Sequence, residues 1–219
     1  MNNYSHETFV LQTGLSKLGF DPGPIDGYRG SKTNSAFSKF VSSKSPKQDL
    51  VKVSNLKAPS PNTSSKTSVF GTAGKVVMDY FTPPYPMEFS WDGRSVGKIG
   101  CHTLIRKPLE NALKEILNTY GYEWIVKYGL HLYAGCFNYR KGRGSRSLSD
   151  HAWAIAVDIN PDANGLSTTW VDGKKASNGT YHMPQEAISI FRKHGFQVGF
   201  KRTNGTRRDM MHIAYVNRA

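Results

Sequence analysis

Hydrophobic and polar residues alternate along this chain with three different textures. In the first, Phe9, Val10, Leu11, Leu15 and Leu18 recur at roughly helical spacing, and Gly19 follows as a terminator. A turn-rich stretch, DPGPIDGYRG, comes next, and Ser31 is placed to cap a second helix whose Ala36, Phe37 and Phe40 share a face. In the second texture, residues 42–69, Ser, Lys, Pro, Asn and Thr dominate without a period of two or 3.6, which reads as a flexible linker with at most a short strand at 50–53. In the third, Leu109, Leu113, Ile116, Leu117 and Tyr120 form an apolar stripe behind Pro108 and ahead of Gly121, predicting a helix that starts near the proline. A further helix is predicted from Pro184 through Ala187, Ile188 and Phe191 to Gly195, and strand-like runs fall at 130–139, 153–159, 196–200 and 212–216.

Helices and strands mix without a regular βαβ alternation, so the expected fold class is α+β with a mainly antiparallel sheet and flanking helices. The boundaries that follow are a helical module over 1–41, a linker over 42–69 and a larger domain over 70–219.

Composition narrows the class. The 219 residues are 38% hydrophobic, enough for packed cores, and two cysteines exclude a disulfide-stapled miniprotein. Cys101 and Cys136 have no metal-type spacing and read as buried thiols. No run approaches the roughly 20 apolar residues of a membrane helix. The amino-terminal residues MNNYSHETFV lack the basic and apolar regions of a signal peptide, so synthesis in a cytosol is expected.

The net charge of +13 is spread over both halves, with nine basic against four acidic residues in 1–69 and twenty against twelve in 70–219. Such a surface accumulates near any polyanion, whether nucleic acid, anionic lipid or a phosphate-bearing envelope, and charge alone does not choose.

Chemistry concentrates in two segments, SDHAWAIAVDIN at 149–160 and RDMMHIAY at 208–215, which supply His151, Asp158, Asp209 and His212. Two imidazoles and a carboxylate are a common ligand set for a catalytic zinc, and a further carboxylate can act as base on its water. On a straight strand, residues seven apart face opposite sides, so His151 and Asp158 meet only if the chain turns between them. Asp209 and His212, three apart, converge if Asp209 sits in a turn and His212 enters the strand. Spacing alone leaves a metal site and a hydrogen-bonded polar pair both open.

The pattern Ser149-x-His151, Asp158 seven residues on, then Asp209-x-x-His212, resembles the M15 peptidase family, zinc enzymes that include D-alanyl-D-alanine carboxypeptidases and phage L-alanyl-D-glutamate endopeptidases. The resemblance implies one zinc ion held by His151, Asp158 and His212, with Asp209 as general base and acid. The segment YAGCFNYR, then Arg143, is similar to the family's stretch bearing a substrate-orienting, oxyanion-stabilising arginine, which points to Arg140. Ser149, Trp153 and Arg143 are candidate substrate contacts. One departure is Ala154, where the family commonly has glycine, so the turn between the first two ligands must tolerate a Cβ. Residues 10–40 are similar to a small three-helix peptidoglycan-binding domain, through Asp26, Gly27, Gly30 and Thr33 in the turn and Ala36 and Phe40 in the last helix. Tyr28 and Arg29 are its candidate wall contacts.

Together the resemblances imply a phage-type endolysin, acting as a monomer on peptidoglycan rather than on nucleic acid, cleaving the L-Ala–D-Glu bond and leaving the cytoplasm through a separate membrane pore. The alternatives are a D,D- or L,D-carboxypeptidase with the same metal site, and a non-catalytic wall- or nucleic-acid-binding protein with a structural metal.

Overall fold

The computed structural model describes residues 4–44, 57–143, 145–201 and 207–217. The chain divides into two compact units, 1–52 and 53–219, and the short strand expected at 50–53 lies outside the described residues. The mixture of helices with small, largely antiparallel sheets is the α+β class expected from the pattern.

The first unit pairs α1 (His6–Lys17) with α2 (Ser31–Lys44). Ser5 caps α1 by accepting from the Thr8 N–H, and the buried face is Thr8, Leu11, Gln12 and Leu15, a strict i, i+3, i+4, i+7 stripe. Phe9, Val10 and Leu18, assigned to that face from their hydrophobicity, are exposed: Phe9 and Val10 fall off the 3.6-residue period, and Leu18 lies past the last helical residue as the C-cap. From α2, Thr33, Ala36 and Phe40 are buried.

Gln12 closes the intervening loop. Its Nε2 donates to Asp26 Oδ1, the Tyr28 carbonyl and Thr33 Oγ1 at 3.0–3.2 Å, while its Oε1 accepts from the Asp26 and Gly27 N–H groups at 3.1 and 2.9 Å. Thr33 Oγ1 in turn donates to the Pro22 carbonyl. A polar side chain at an apolar position of α1 therefore fixes the whole DPGPIDGY turn.

The second unit begins earlier than the pattern predicts. Within the expected linker, α3 (Thr63–Phe70) is capped by Asn62 Oδ1 on the Ser65 N–H and buries Lys66 and Phe70. Thr63 to Phe70 is thus a packed element and not flexible chain; a Ser/Thr/Lys-rich octapeptide carries almost no apolar periodicity, so its order comes from what Lys66 and Phe70 meet. The Pro59 carbonyl likewise accepts from the Asn217 N–H near the far end of the chain.

Strands β1 (Met78–Phe81) and β3 (Ile99–His102) pair antiparallel, and β2 (Glu88–Phe89) pairs parallel with β4 (Leu132–Tyr133). The latter is all that forms of the strand expected over 130–139. Between them, α4 (Thr103–Lys127) starts five residues ahead of Pro108, capped by His102 Nδ1 accepting from the Leu104 N–H. Pro108 lies inside the helix, where it leaves the Leu104 carbonyl without its i+4 donor. Gly121 (φ 78°, ψ 170°) breaks the helical path where a terminus was expected, after which it resumes to Lys127.

The buried stripe of α4, Ile105, Leu109, Ala112, Leu113 and Ile116, packs on β1, β3 and α6 (Gln185–Lys193). Each fully buried aliphatic side chain of this kind contributes about 1.5–3 kcal/mol. At the end of α6, Lys193 and His194 both reach Glu115 of α4 at 2.8 Å.

A third sheet has the order β5 (Ala156–Asp158), β7 (Arg207–Ala214), β6 (Gln197–Lys201), all antiparallel, with the short α5 (Pro161–Asn164) directly after β5. Its registers place Asp158 opposite His212 and Val198 opposite Ile213, yet Phe200 opposite Arg208. Gly199 alone therefore faces residues 209–212, a pronounced bulge in β7. Gly199 has φ 56°, and a Cβ there would lie 2.4 Å from Met210 Sδ and 2.7 Å from the Arg208 carbonyl oxygen, so glycine is required.

Candidate metal centre

His151 lies in a 3-10 turn, Asp150–Trp153, that ends on Ala154 in the left-handed conformation (φ 54°, ψ 34°), and β5 begins two residues later. The reversal removes the seven-residue parity problem: His151 is off the strand, and Asp158 is at its end. Ala154 adopts what a glycine would adopt, at a cost of about 1–2 kcal/mol for its Cβ.

Asp209 is not in a turn, as spacing suggested, but inside β7. Its own positive φ of 55°, within the bulge opposite Gly199, breaks the two-residue alternation that would otherwise send Asp209 and His212 to opposite faces.

Three of the predicted residues meet. His151 Nε2 is 3.2 Å from Asp158 Oδ2, and His212 Nδ1 is 3.2 Å from His151 Nε2 and 3.3 Å from Asp158 Oδ1. Among the described residues these form a His/Asp/His group whose ligand-type atoms all lie within 4.8 Å of one another.

The remaining ring nitrogens determine what the cluster wants. His151 Nδ1 faces the Cys136 carbonyl, a pure acceptor, so it carries a proton. His212 Nε2 faces Asp150 Oδ2 at 3.1 Å and carries one too. With both outer nitrogens protonated, neutral imidazoles present two lone pairs to each other and to a carboxylate. Three acceptors at 3.2–3.3 Å require a cation among them. A tetrahedral zinc with bonds of about 2.0–2.1 Å sets its ligand atoms about 3.3–3.4 Å apart, so the donor set fits that ion.

Without a metal, a proton takes the cation's part. Burial opposes charge on His212, but hydrogen bonds from its ring to Asp150 and Asp158 outweigh it and hold the pKa up at about 9. Burial likewise disfavours a charged Asp158, and the two histidines overcome it, holding the carboxyl well below the usual carboxylate range.

The surroundings hold these groups in place. Residues 134–138 run beside β5 and then beside the 3-10 turn: Ala134 N donates to the Asp158 carbonyl, Asp158 N to that of Gly135, and Asn138 N to that of His151. Behind His212, Asp150 Oδ1 accepts from Lys66 Nζ at 2.8 Å, an ion pair whose side chains are only 4% and 3% exposed.

Other candidates sit differently. Trp153 does not line a cleft: it is fully buried, its Nε1 donates to the Gly71 carbonyl and Lys66 Nζ lies 4.2 Å over its ring, because the 3-10 turn points it into the core toward α3. Ser149 is the N-cap residue of the 3-10 turn with no side-chain cap bond, its N–H donating to the Arg140 carbonyl. Arg140 is half-buried with Nη1 on the Lys141 carbonyl, and Arg143 is exposed. In the first unit Tyr28 is exposed, whereas Arg29 is held by Asn34 Oδ1 at 2.6 Å and lies over Phe37.

Lys66 and Asp150 were not among the candidates read from sequence. Asp150 stands beside His151 in the motif and its adjacency is a usable signal; Lys66 sits in a low-complexity stretch 84 residues away and has none.

Residues 143–215, a third of the chain, match a family model of M15 peptidases described as D-alanyl-D-alanine carboxypeptidase. The matched segment contains His151, Asp158, Asp209 and His212, and it supports a peptidase of the kind that acts on peptidoglycan. Neither the curated proteins nor the solved structures gave a match.

Proposed function

We propose that this protein is a zinc-dependent peptidase that cuts the stem peptide of bacterial peptidoglycan between L-alanine and D-glutamate, as a phage-type endolysin. The observation that carries the metallopeptidase reading is the face-to-face set of three acceptors, His151 Nε2, His212 Nδ1 and the Asp158 carboxylate, inside the segment matched to the peptidase family.

His151, Asp158 and His212 hold the ion, which when bound supplies an acidified water and a Lewis acid for the scissile carbonyl. Asp209, half-buried and three residues ahead of His212 on β7, takes the proton from the attacking water and returns it to the leaving amine. Arg140 donates its guanidinium N–H groups to the substrate carbonyl as negative charge develops there. The first unit, through its likeness to a wall-binding module, retains the enzyme on its polymer, and the distributed positive charge favours the anionic envelope. Export through a separate pore belongs to the same reading; no helix among the described residues is long and apolar enough to cross a membrane.

Purified peptidoglycan digested with the protein and analysed by mass spectrometry tests the bond. New peptides with D-glutamate at the amino terminus, beside glycan ending in L-alanine, are expected. The description of the matched family favours a second reading, a D,D-carboxypeptidase, and release of terminal D-alanine alone would establish it in place of the endopeptidase.

A further inference from the structure

The zinc reading leaves one arrangement unused: a lysine from α3 buried against a carboxylate, which is in turn bonded to a ligand histidine. Lys66 Nζ donates to Asp150 Oδ1 at 2.8 Å, and Asp150 Oδ2 accepts from His212 Nε2 at 3.1 Å. Both oxygens of Asp150 are thus engaged in one line that runs from Lys66 to His212. We propose that Lys66 and Asp150 are positioning residues for the metal centre, and that the segment preceding the matched peptidase region is a working part of that centre.

The ring of His212 links the pair to the metal centre. An imidazole can offer Nδ1 to a metal only if its proton resides on Nε2, and the carboxylate behind Nε2 fixes that tautomer, fixes the ring's rotation and raises the basicity of Nδ1. A buried carboxylate needs its own compensation, which Lys66 provides from a site where both side chains are almost wholly excluded from water. Lys66 is itself held against the Trp153 ring at 4.2 Å, and Trp153 is bonded to the Gly71 carbonyl just past α3. The 3-10 turn that carries His151 and Asp150 is therefore clamped by α3 through two side chains, Asp150 and Trp153. A glutamine or asparagine in place of Asp150 could not do the same work, since its amide can turn and donate to Nε2, which would move the proton to Nδ1.

This proposal rests on the zinc reading, and the experiment separates the two. Zinc affinity is measured by chelator competition on the full chain for wild type, Lys66→Met, Asp150→Asn and the double variant Lys66→Met/Asp150→Asn, with the Tm of each metal-free protein taken in parallel. Wild type is expected to bind one zinc, and both single variants to bind it about 10- to 100-fold more weakly. The double variant removes the buried pair together, so its metal-free Tm is expected to return close to that of wild type while its zinc affinity stays at least about tenfold reduced. Long-range proton–nitrogen NMR of the zinc-loaded wild type is expected to find the His212 proton on Nε2.

Wild type that binds no zinc overturns the zinc reading and this inference with it. Wild type that binds zinc, with a double variant matching it in affinity, overturns this inference alone and leaves Lys66 and Asp150 as a structural pair.

Discussion

Each unit of the molecule holds a polar cluster anchored on buried side chains, Gln12 and Thr33 in the first and His151 and Asp158 in the second, and the two are built on opposite principles. In the first, Gln12, Asp26 and Thr33 pair donors with acceptors: both ends of the Gln12 amide are occupied, and the cluster satisfies the backbone of a tight loop. In the second, His151, Asp158 and His212 turn acceptors toward one another, while the Cys136 carbonyl and Asp150 accept from the outward N–H groups of the two histidines and Lys66 donates to Asp150. A closed network stabilises a fold and asks for nothing more; a network with converging lone pairs is stable only with a cation inside it. Burial and polarity alone do not distinguish a structural cluster from a chemical one, but donor and acceptor bookkeeping does.

The strongest way to break this contrast is to remove a ligand. His151→Ala is expected to abolish stoichiometric zinc binding, measured by metal analysis after gel filtration, and with it all wall hydrolysis; retained zinc and hydrolysis would show that the converging lone pairs are not the metal's seat. Next, Asp209→Ala should lower hydrolysis by about 10²- to 10⁴-fold while zinc content stays at one per chain, as expected of a base that is not a ligand.

The imidazoles of the second unit sharpen the comparison further. His131 is half-buried with Glu88 no nearer than 3.7 Å, and desolvation pushes its pKa down to about 4 from 6.5, the reverse of His212. A depressed folded-state pKa means the unfolded chain binds the proton first, so the associated stability is present above about pH 6.5 and is lost as pH falls through about 4. His131→Gln is expected to remove up to about 3 kcal/mol of this acid sensitivity, read from denaturant unfolding between pH 7 and pH 4; identical pH profiles for both proteins would defeat it. The smallest effect tests the closed network. Gln12→Ala should destabilise the first unit by about 1–3 kcal/mol by leaving buried loop N–H groups without an acceptor, with hydrolysis of a soluble stem peptide unchanged.

Legibility followed chemistry and periodicity. The stripes of α4 and α6 were readable because apolar residues there follow 3.6-residue spacing, and the three residues that converge, His151, Asp158 and His212, because His and Asp recur in a family-like pattern. Termini were read less well: α4 begins at Thr103, since His102 caps it from a strand that sequence did not announce. The bulge in β7 was invisible for a related reason. The need for Gly199 to take a positive φ arises from Met210 and Arg208 packing across the sheet, and Asp209 gives no local sign that it leaves extended geometry.

Sequence by itself determined the class of fold, the two helical stripes and the residue types able to hold a metal, because these depend on spacing and on side-chain chemistry that each residue carries wherever it stands. Tertiary structure alone decided which nitrogen of each histidine faces the site, since a ring's tautomer is set by what lies behind it: the Cys136 carbonyl for His151 and Asp150 for His212. It also decided that Trp153 belongs to the core and that Lys66 belongs to the site, because a lysine in a Ser- and Thr-rich stretch acquires a role only when folding excludes water from it and sets a carboxylate against it.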